Sequence, residues 1–174
     1  MKGNISGDVV IATNEAQKKF DYNKKKYLIG TKYMIIDSIF YKKINKINTE
    51  NFEKILITFG GYDPYNVTLQ TVRALKLVTK KLKNAQINVL IGNFYPFRKL
   101  LEDELIDSNL DFKIFQNVKN MSEFILKYDY GITAGGNTLF ELLTSGIPCS
   151  VISQNMRQHK SCKLLSDKEI FDYI

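Results

Sequence analysis

Three short stretches hold residue types at spacings that can do chemistry. The first is Phe59–Thr68, FGGYDPYNVT, in which two glycines follow an apolar run and precede an acid and an amide side chain. The second is Ala134–Glu141, AGGNTLFE, with a second glycine pair and a carboxylate one helical turn further on. The third is Arg157–His159, RQH, which carries the chain's only histidine. A helix start offers unpaired backbone N–H groups and the positive end of the helix dipole. Glycines in front of such a start let a phosphate reach those amides. Asn137 and Thr138 begin the run after Gly135-Gly136 and can add side-chain donors. No Gly-Lys-Ser/Thr follows, so this is not a Walker loop, and the spacing is not the GxGxxG of dinucleotide folds. A purely structural reading stands beside the phosphate reading. Thr138-x-x-Glu141 has the form of a capping box, in which both side chains serve the helix itself. Spacing alone leaves both open.

The elements that position these stretches are regular from Lys54 onward. ILITF (Ile55–Phe59), INVLIG (Ile87–Gly92), FKIF (Phe112–Phe115), YGITA (Tyr130–Ala134) and PCSVIS (Pro148–Ser153) are short apolar runs, as expected of strands buried on both faces. Helices are expected between them. Thr68, Val72, Leu75, Val78 and Leu82 recur at helical spacing, with Asp63 suited to cap that helix and Pro64 to its first position. Phe97, Leu100, Leu101 and Leu105 mark the next helix. Met121–Tyr128, Thr138–Ser145 and Arg157–Leu165 mark three more, the second ended by Gly146. This alternation predicts an α/β fold: a Rossmann-like parallel sheet with helices on both faces. Both glycine pairs then lie at the carboxyl rim of the sheet, where ligands of such folds bind. Before Lys54 only Asp8–Ala12 (DVVIA) reads as a strand, and Thr13–Glu50 mixes lysine and tyrosine without a clear period.

Composition narrows the function. A chain of 174 residues, 44% hydrophobic, can bury one core of ordinary size. Its two cysteines, Cys149 and Cys162, have no metal or redox spacing and suit a reducing, cytoplasmic setting. No run is long enough to span a membrane. The net charge of +7 comes from lysine clusters at Lys18–Tyr27, Tyr41–Lys46 and Lys80–Asn84. No nucleic-acid-binding motif accompanies them, so solvated surface is the expected reading and nucleic acid is not an expected partner.

The phrases GGYDPYNVT and NVKNMSEFILKYDYGITAGGNTLFELLTSGIP, with YLIGTKYMIID (Tyr27–Asp37) before them, resemble a known family. They are similar to the C-terminal, nucleotide-binding half of glycosyltransferase B-type proteins. The closest pattern is that of the UDP-sugar hydrolase of pseudaminic acid biosynthesis and its spore-coat polysaccharide relatives, on a fold shared with MurG-type glycosyltransferases. The resemblance runs from about Asp8 onward. It implies that residues 1–50 connect to an N-terminal domain outside this chain, and that residues 51–174 form the nucleotide-sugar-binding domain, truncated at its C-terminal end.

The resemblance also implies roles. Gly135, Gly136, Asn137 and Thr138 match the pyrophosphate-binding turn, and Glu141 the acid that accepts the ribose hydroxyls. Val118 to Met121 match the loop beside the uracil. Gly60, Gly61 and Tyr62 match the loop facing the sugar-phosphate end, where the family usually has a small residue in place of Tyr62. Gln158 matches a glutamine of the family, with Arg157 before it. The implied ligand is UDP or a UDP-sugar, with no cofactor and no metal. The implied reaction is hydrolysis of a UDP-linked 2,4-diacetamido-2,4,6-trideoxy-altropyranose. The family's glycine-rich loop and assisting histidine belong to the N-terminal half, and His159 matches neither, so no catalytic residue is assigned here. The chain alone is expected to bind and not to turn over. Half of a MurG-like glycosyltransferase and a non-catalytic nucleotide-binding module are the alternatives.

Overall fold

The computed structural model describes residues 9–13, 26–41, 52–82, 84–106, 108–166 and 171–174. The lysines at positions 18–25 and 42–46 lie outside these residues. Two short strands, β1 (Val9–Ala12) and β2 (Lys26–Ile29), pair in parallel, with Val9 opposite Lys26 and Ala12 opposite Ile29. The first is the expected DVVIA strand. β2 lies inside the stretch without a clear period, because four residues are too short a window for alternation to register.

The main sheet begins with β3 (Lys54–Thr58), which leads through helix α1 (Val67–Lys76) to β4 (Gln86–Leu90). Helix α2 (Arg98–Ile106), β5 (Asp111–Phe115) and the short α3 (Met121–Ile125) follow. Then come β6 (Tyr130–Thr133), α4 (Asn137–Thr144), β7 (Cys149–Val151), α5 (Met156–Ser166) and a two-residue edge strand, β8 (Asp172–Tyr173). The strand order is β5-β4-β3-β6-β7-β8, and every pairing is parallel. Counted from β3 this is the 3-2-1-4-5-6 order of doubly wound folds, whose direction of winding reverses between the first and fourth strands. Here that switch point lies between β3 and β6.

The strands alternate across the two faces as their period of two requires. Ile55, Ile57 and Phe59 pack with Val67, Val72 and Leu101, so α1 and α2 cover one face. Leu56 packs with Ile125, Leu139, Leu142 and Val151, so α3 and α4 cover the other, and Cys162 of α5 joins them. Phe40 is buried in the same cluster, where its carbonyl accepts a 3.4 Å hydrogen bond from Ser145 Oγ.

Helix α1 is shorter than its apolar spacing predicts. The amides of Leu77 and Val78 bond to Ala74 and Leu75, three residues back, and a single 3-10 turn follows at Thr79–Lys81. Three residues per turn shifts the side-chain phase, and Val78 is left exposed. Helix α3 likewise stops at Ile125, short of Tyr128.

Gly92, just past β4, carries a constraint that sequence reading does not register. A Cβ there would sit 2.1 Å from the carbonyl oxygen of Gly61, a backbone atom that cannot rotate away. The amide of Phe94 also donates to that oxygen at 3.3 Å. Gly92→Ala is therefore expected to displace the β3–α1 loop and to destabilise the fold by about 1–3 kcal/mol, the usual range for overpacking. Urea unfolding checks this, and an unchanged midpoint would contradict it.

Candidate functional site

Thr58 of β3 lies opposite Thr133 of β6, so the loops that follow them leave the sheet side by side at its carboxyl rim. These loops carry the two glycine pairs. In the β3–α1 loop, Gly60, Asp63 and Asn66 all have positive φ, at 84°, 43° and 53°. Gly60 adopts this region freely, whereas Asp63 and Asn66 need local hydrogen bonds to stay there. Asp63 supplies them. Its carboxylate accepts from the amides of Val67 at 3.0 Å and Thr68 at 2.8 Å. Asp63 thus satisfies the start of α1 as expected, but from outside the cap position. Asn66 is the N-cap, and Pro64 lies in the preceding turn instead of at the first helical residue. Tyr62 stands on the rim with 57% of its surface exposed.

The two glycines of the β6–α4 loop are not equivalent. A Cβ on Gly135 would lie 2.3 Å from Cys162 Sγ and 3.3 Å from Gln158 Cβ, so α5 packs directly on this backbone. A Cβ on Gly136 would meet nothing within 4 Å among the described residues. Its φ of −110° and ψ of −161° are ordinary extended values open to any residue. Packing and conformation account for the first glycine and not for the second. Gly136 is the N-cap of α4, and no side chain among the described residues caps this helix. The capping-box reading fails for the same reason. Thr138 lies inside the helix, one residue past its start, where its hydroxyl is near the Glu141 carboxyl. Partial burial pushes the Glu141 carboxyl above its ordinary value, and the nearby Thr138 hydroxyl opposes that shift. A carboxylate partly drawn out of water retains room to accept donors.

A pocket of about 290 Å³ opens beside this turn. Gly135, Gly136, Asn137 and Phe140 form one wall, Arg157 and Gln158 of α5 another, and Thr13, Thr31 and Met34 from the segments after β1 and β2 a third. Four of the expected ligand residues, Gly135, Gly136, Asn137 and Gln158, therefore meet in one cavity. Gly60, Gly61 and Tyr62 lie in the neighbouring loop. Thr138, Glu141, Val118 and Met121 do not line this pocket. Val118 packs against the cluster that holds Phe124 and Leu139, and Met121 opens α3. Gln158 uses its amide oxygen to accept from the Gln154 backbone N–H at 2.8 Å, so it is the amide nitrogen that a ligand would meet.

His159 contacts the edge strand instead of the pocket, with Nδ1 2.5 Å from Tyr173 Oη. Both cysteines are buried, and burial pushes the Cys149 thiol up to about 12, aided by Asp172 and Cys162. They are packing residues. Among the described residues no group of three His, Cys, Asp or Glu side chains is placed to hold a metal. No described helix is long and apolar enough to cross a membrane. Sequence reading missed Gln154. Its position just past β7, on the same rim as the glycine pairs, is the signal that could have found it.

The architecture is that of the glycosyltransferase B-type fold. MurG of Acinetobacter baumannii superposes on 95% of the chain with a TM-score of 0.60 at 16% identity, over 46% of its own length. The pneumococcal O-GlcNAc transferase GtfA, solved with UDP and GlcNAc, covers 94% of the chain and 39% of its own, with a TM-score of 0.56 at 15% identity. In sequence, the chain is 26% identical to the spore coat polysaccharide biosynthesis protein SpsG of Bacillus subtilis over 114 residues, 66% of this chain and 33% of that protein. It is 34% identical to the uncharacterized protein MJ1062 of Methanocaldococcus jannaschii over 151 residues, 83% of this chain and 31% of that protein. The chain thus spans about a third of the curated relatives it matches. No family model matches it.

Proposed function

We propose that this chain is the nucleotide-sugar-binding unit of a protein of surface polysaccharide biosynthesis, and that its ligand is UDP or a UDP-sugar. The observation that carries the reading is the uncapped start of α4 behind Gly136, whose missing Cβ none of the described residues requires. The diphosphate rests on the amides of Asn137 and Thr138, where the helix dipole and free N–H groups favour an anion. Glu141, on the adjoining face of the same helix end, accepts the ribose hydroxyls. Backbone groups of Val118 to Met121 meet the uracil. Gly60, Gly61, Tyr62 and Gln158 border the sugar-phosphate end. Residues 1–50 connect to an N-terminal domain, and residues 51–174 hold the nucleotide. The polysaccharide-biosynthesis relative and the UDP complex of a structural neighbour support this reading.

For the whole protein we propose hydrolysis of a UDP-linked diacetamido sugar. Water displaces UDP at the anomeric carbon, and preorganised helix-end amides stabilise the charge that develops on the leaving diphosphate. Glycosyl transfer is the second reading, favoured by the transferases among the structural neighbours. Both reactions need the same leaving group held in the same way. Calorimetric titration with UDP, UDP-sugars, ADP and GDP tests the proposal. UDP is expected to bind most tightly of the free diphosphates. Equal or tighter binding of ADP or GDP overturns the uridine assignment.

A further inference from the structure

Asp63 is 3% exposed, and three N–H donors converge on its carboxylate. Two come from the start of α1. The third is the side-chain amide of Gln154, which donates to Oδ1 at 2.8 Å from a position 91 residues away. Capping α1 does not need this third bond, because the two helix amides are already paired with Asp63. Gln154 in turn donates its backbone N–H to Gln158 Oε1, and the Gln158 backbone amide is fixed by Asn155 Oδ1 at 3.0 Å. The Cβ of Gln158 stands against Gly135. An unbroken path therefore runs from the β3–α1 loop through the β7–α5 loop to the β6–α4 turn. We propose that Asp63 and Gln154 are positioning residues, forming a carboxylate–amide tie that sets the spacing between the two glycine-bearing rims of the crevice.

The donor count also limits what else Asp63 can do. An ionised carboxylate is acceptor-only, and three good donors occupy most of its lone pairs. It is therefore well placed to hold a loop of positive-φ residues. Tyr95 also faces this carboxylate. Burial and the Asp63 charge hold its phenol above its ordinary value, so it stays neutral at and below neutral pH. Its hydroxyl donates to Asn66 Oδ1 at 2.5 Å, anchoring the far end of the same loop.

The effect on affinity rests on the nucleotide-sugar reading; the effect on the loops does not. The test uses the full chain as wild type, Gln154→Glu and Gln154→Ala. Amide hydrogen exchange is measured at residues 60–68 and 134–140 between pH 5 and 8, corrected for intrinsic rates. In the Gln154→Glu variant a protonated carboxyl can donate to Asp63 as the glutamine amide does, whereas two facing carboxylates repel. Gln154→Glu should keep near-wild-type protection at pH 5 and lose on the order of tenfold by pH 8. Gln154→Ala should show the loss throughout, with α2 unchanged in both. A merely structural role for Gln154 would not give the Glu variant a pH profile that the Ala variant lacks. Equal protection of all three proteins at every pH overturns the tie. UDP affinity, followed in parallel, should track the exchange. Loops that loosen as expected in a protein that binds no UDP support the tie and overturn the nucleotide reading instead.

Discussion

Gly136→Val is expected to reduce UDP affinity by on the order of 100-fold or more, while the protein still folds. An affinity loss of that size corresponds to about 2.7 kcal/mol. The reason is specific to this glycine. Its backbone angles suit valine, and no atom of the described residues lies within 4 Å of its Cβ position, so little strain is introduced. Valine is a poorer N-cap than glycine, which costs about 1 kcal/mol and lowers the melting temperature by a few degrees. The branched side chain would occupy the space in which a diphosphate approaches the Asn137 and Thr138 amides. Gly135→Ala should behave in the opposite way. Its Cβ runs into Cys162 Sγ, so stability falls by about 1–3 kcal/mol through overpacking. Adding Cys162→Ala to that variant should restore part of the loss, since the obstructing sulfur is gone. Calorimetry and thermal melts on the four proteins decide the matter. Full UDP affinity in Gly136→Val would remove the diphosphate from the α4 turn.

Glu141→Gln separates binding from stability. Glutamine keeps the side-chain length and a carbonyl acceptor, but it loses the charge that strengthens hydrogen bonds from ribose hydroxyls. Bonds to charged groups contribute about 1.5–3 kcal/mol, so UDP affinity should fall on the order of 10- to 100-fold. Stability should move the other way. Burial raises the Glu141 carboxyl in the folded protein above its ordinary value of 4.5, so in the window between the two values the native state holds more of the proton. Stability then declines as pH rises through that window, and the cost is fully present above the raised value. Glutamine removes the cost. The variant should equal the wild type near pH 4 and match or exceed it at pH 7 in urea unfolding. A variant that binds UDP normally and unfolds more easily at pH 7 would make Glu141 a structural residue.

The alternation of apolar runs and helical spacings was sufficient to determine a parallel α/β sheet, because both periods are local properties of the chain. It also put both glycine pairs on the carboxyl rim, since every strand-to-helix loop of a parallel sheet lies at that end. The five strands expected after Lys54 are β3 to β7 of the structure. Three matters were decided only by the tertiary structure. Strand order set β3 beside β6 and so made one crevice from two loops more than seventy residues apart. The packing of α5 distinguished Gly135, which Cys162 requires, from Gly136, which none of the described residues requires. The start of α4 at Asn137 turned Thr138 and Glu141 from a capping box into an interior pair with a partly desolvated acid. The Asp63–Gln154 tie and the contact of Gly92 with the Gly61 backbone belong to the same class. Each joins residues on different crossovers. No window of local sequence contains both partners, and only the completed winding of the sheet brings them within reach.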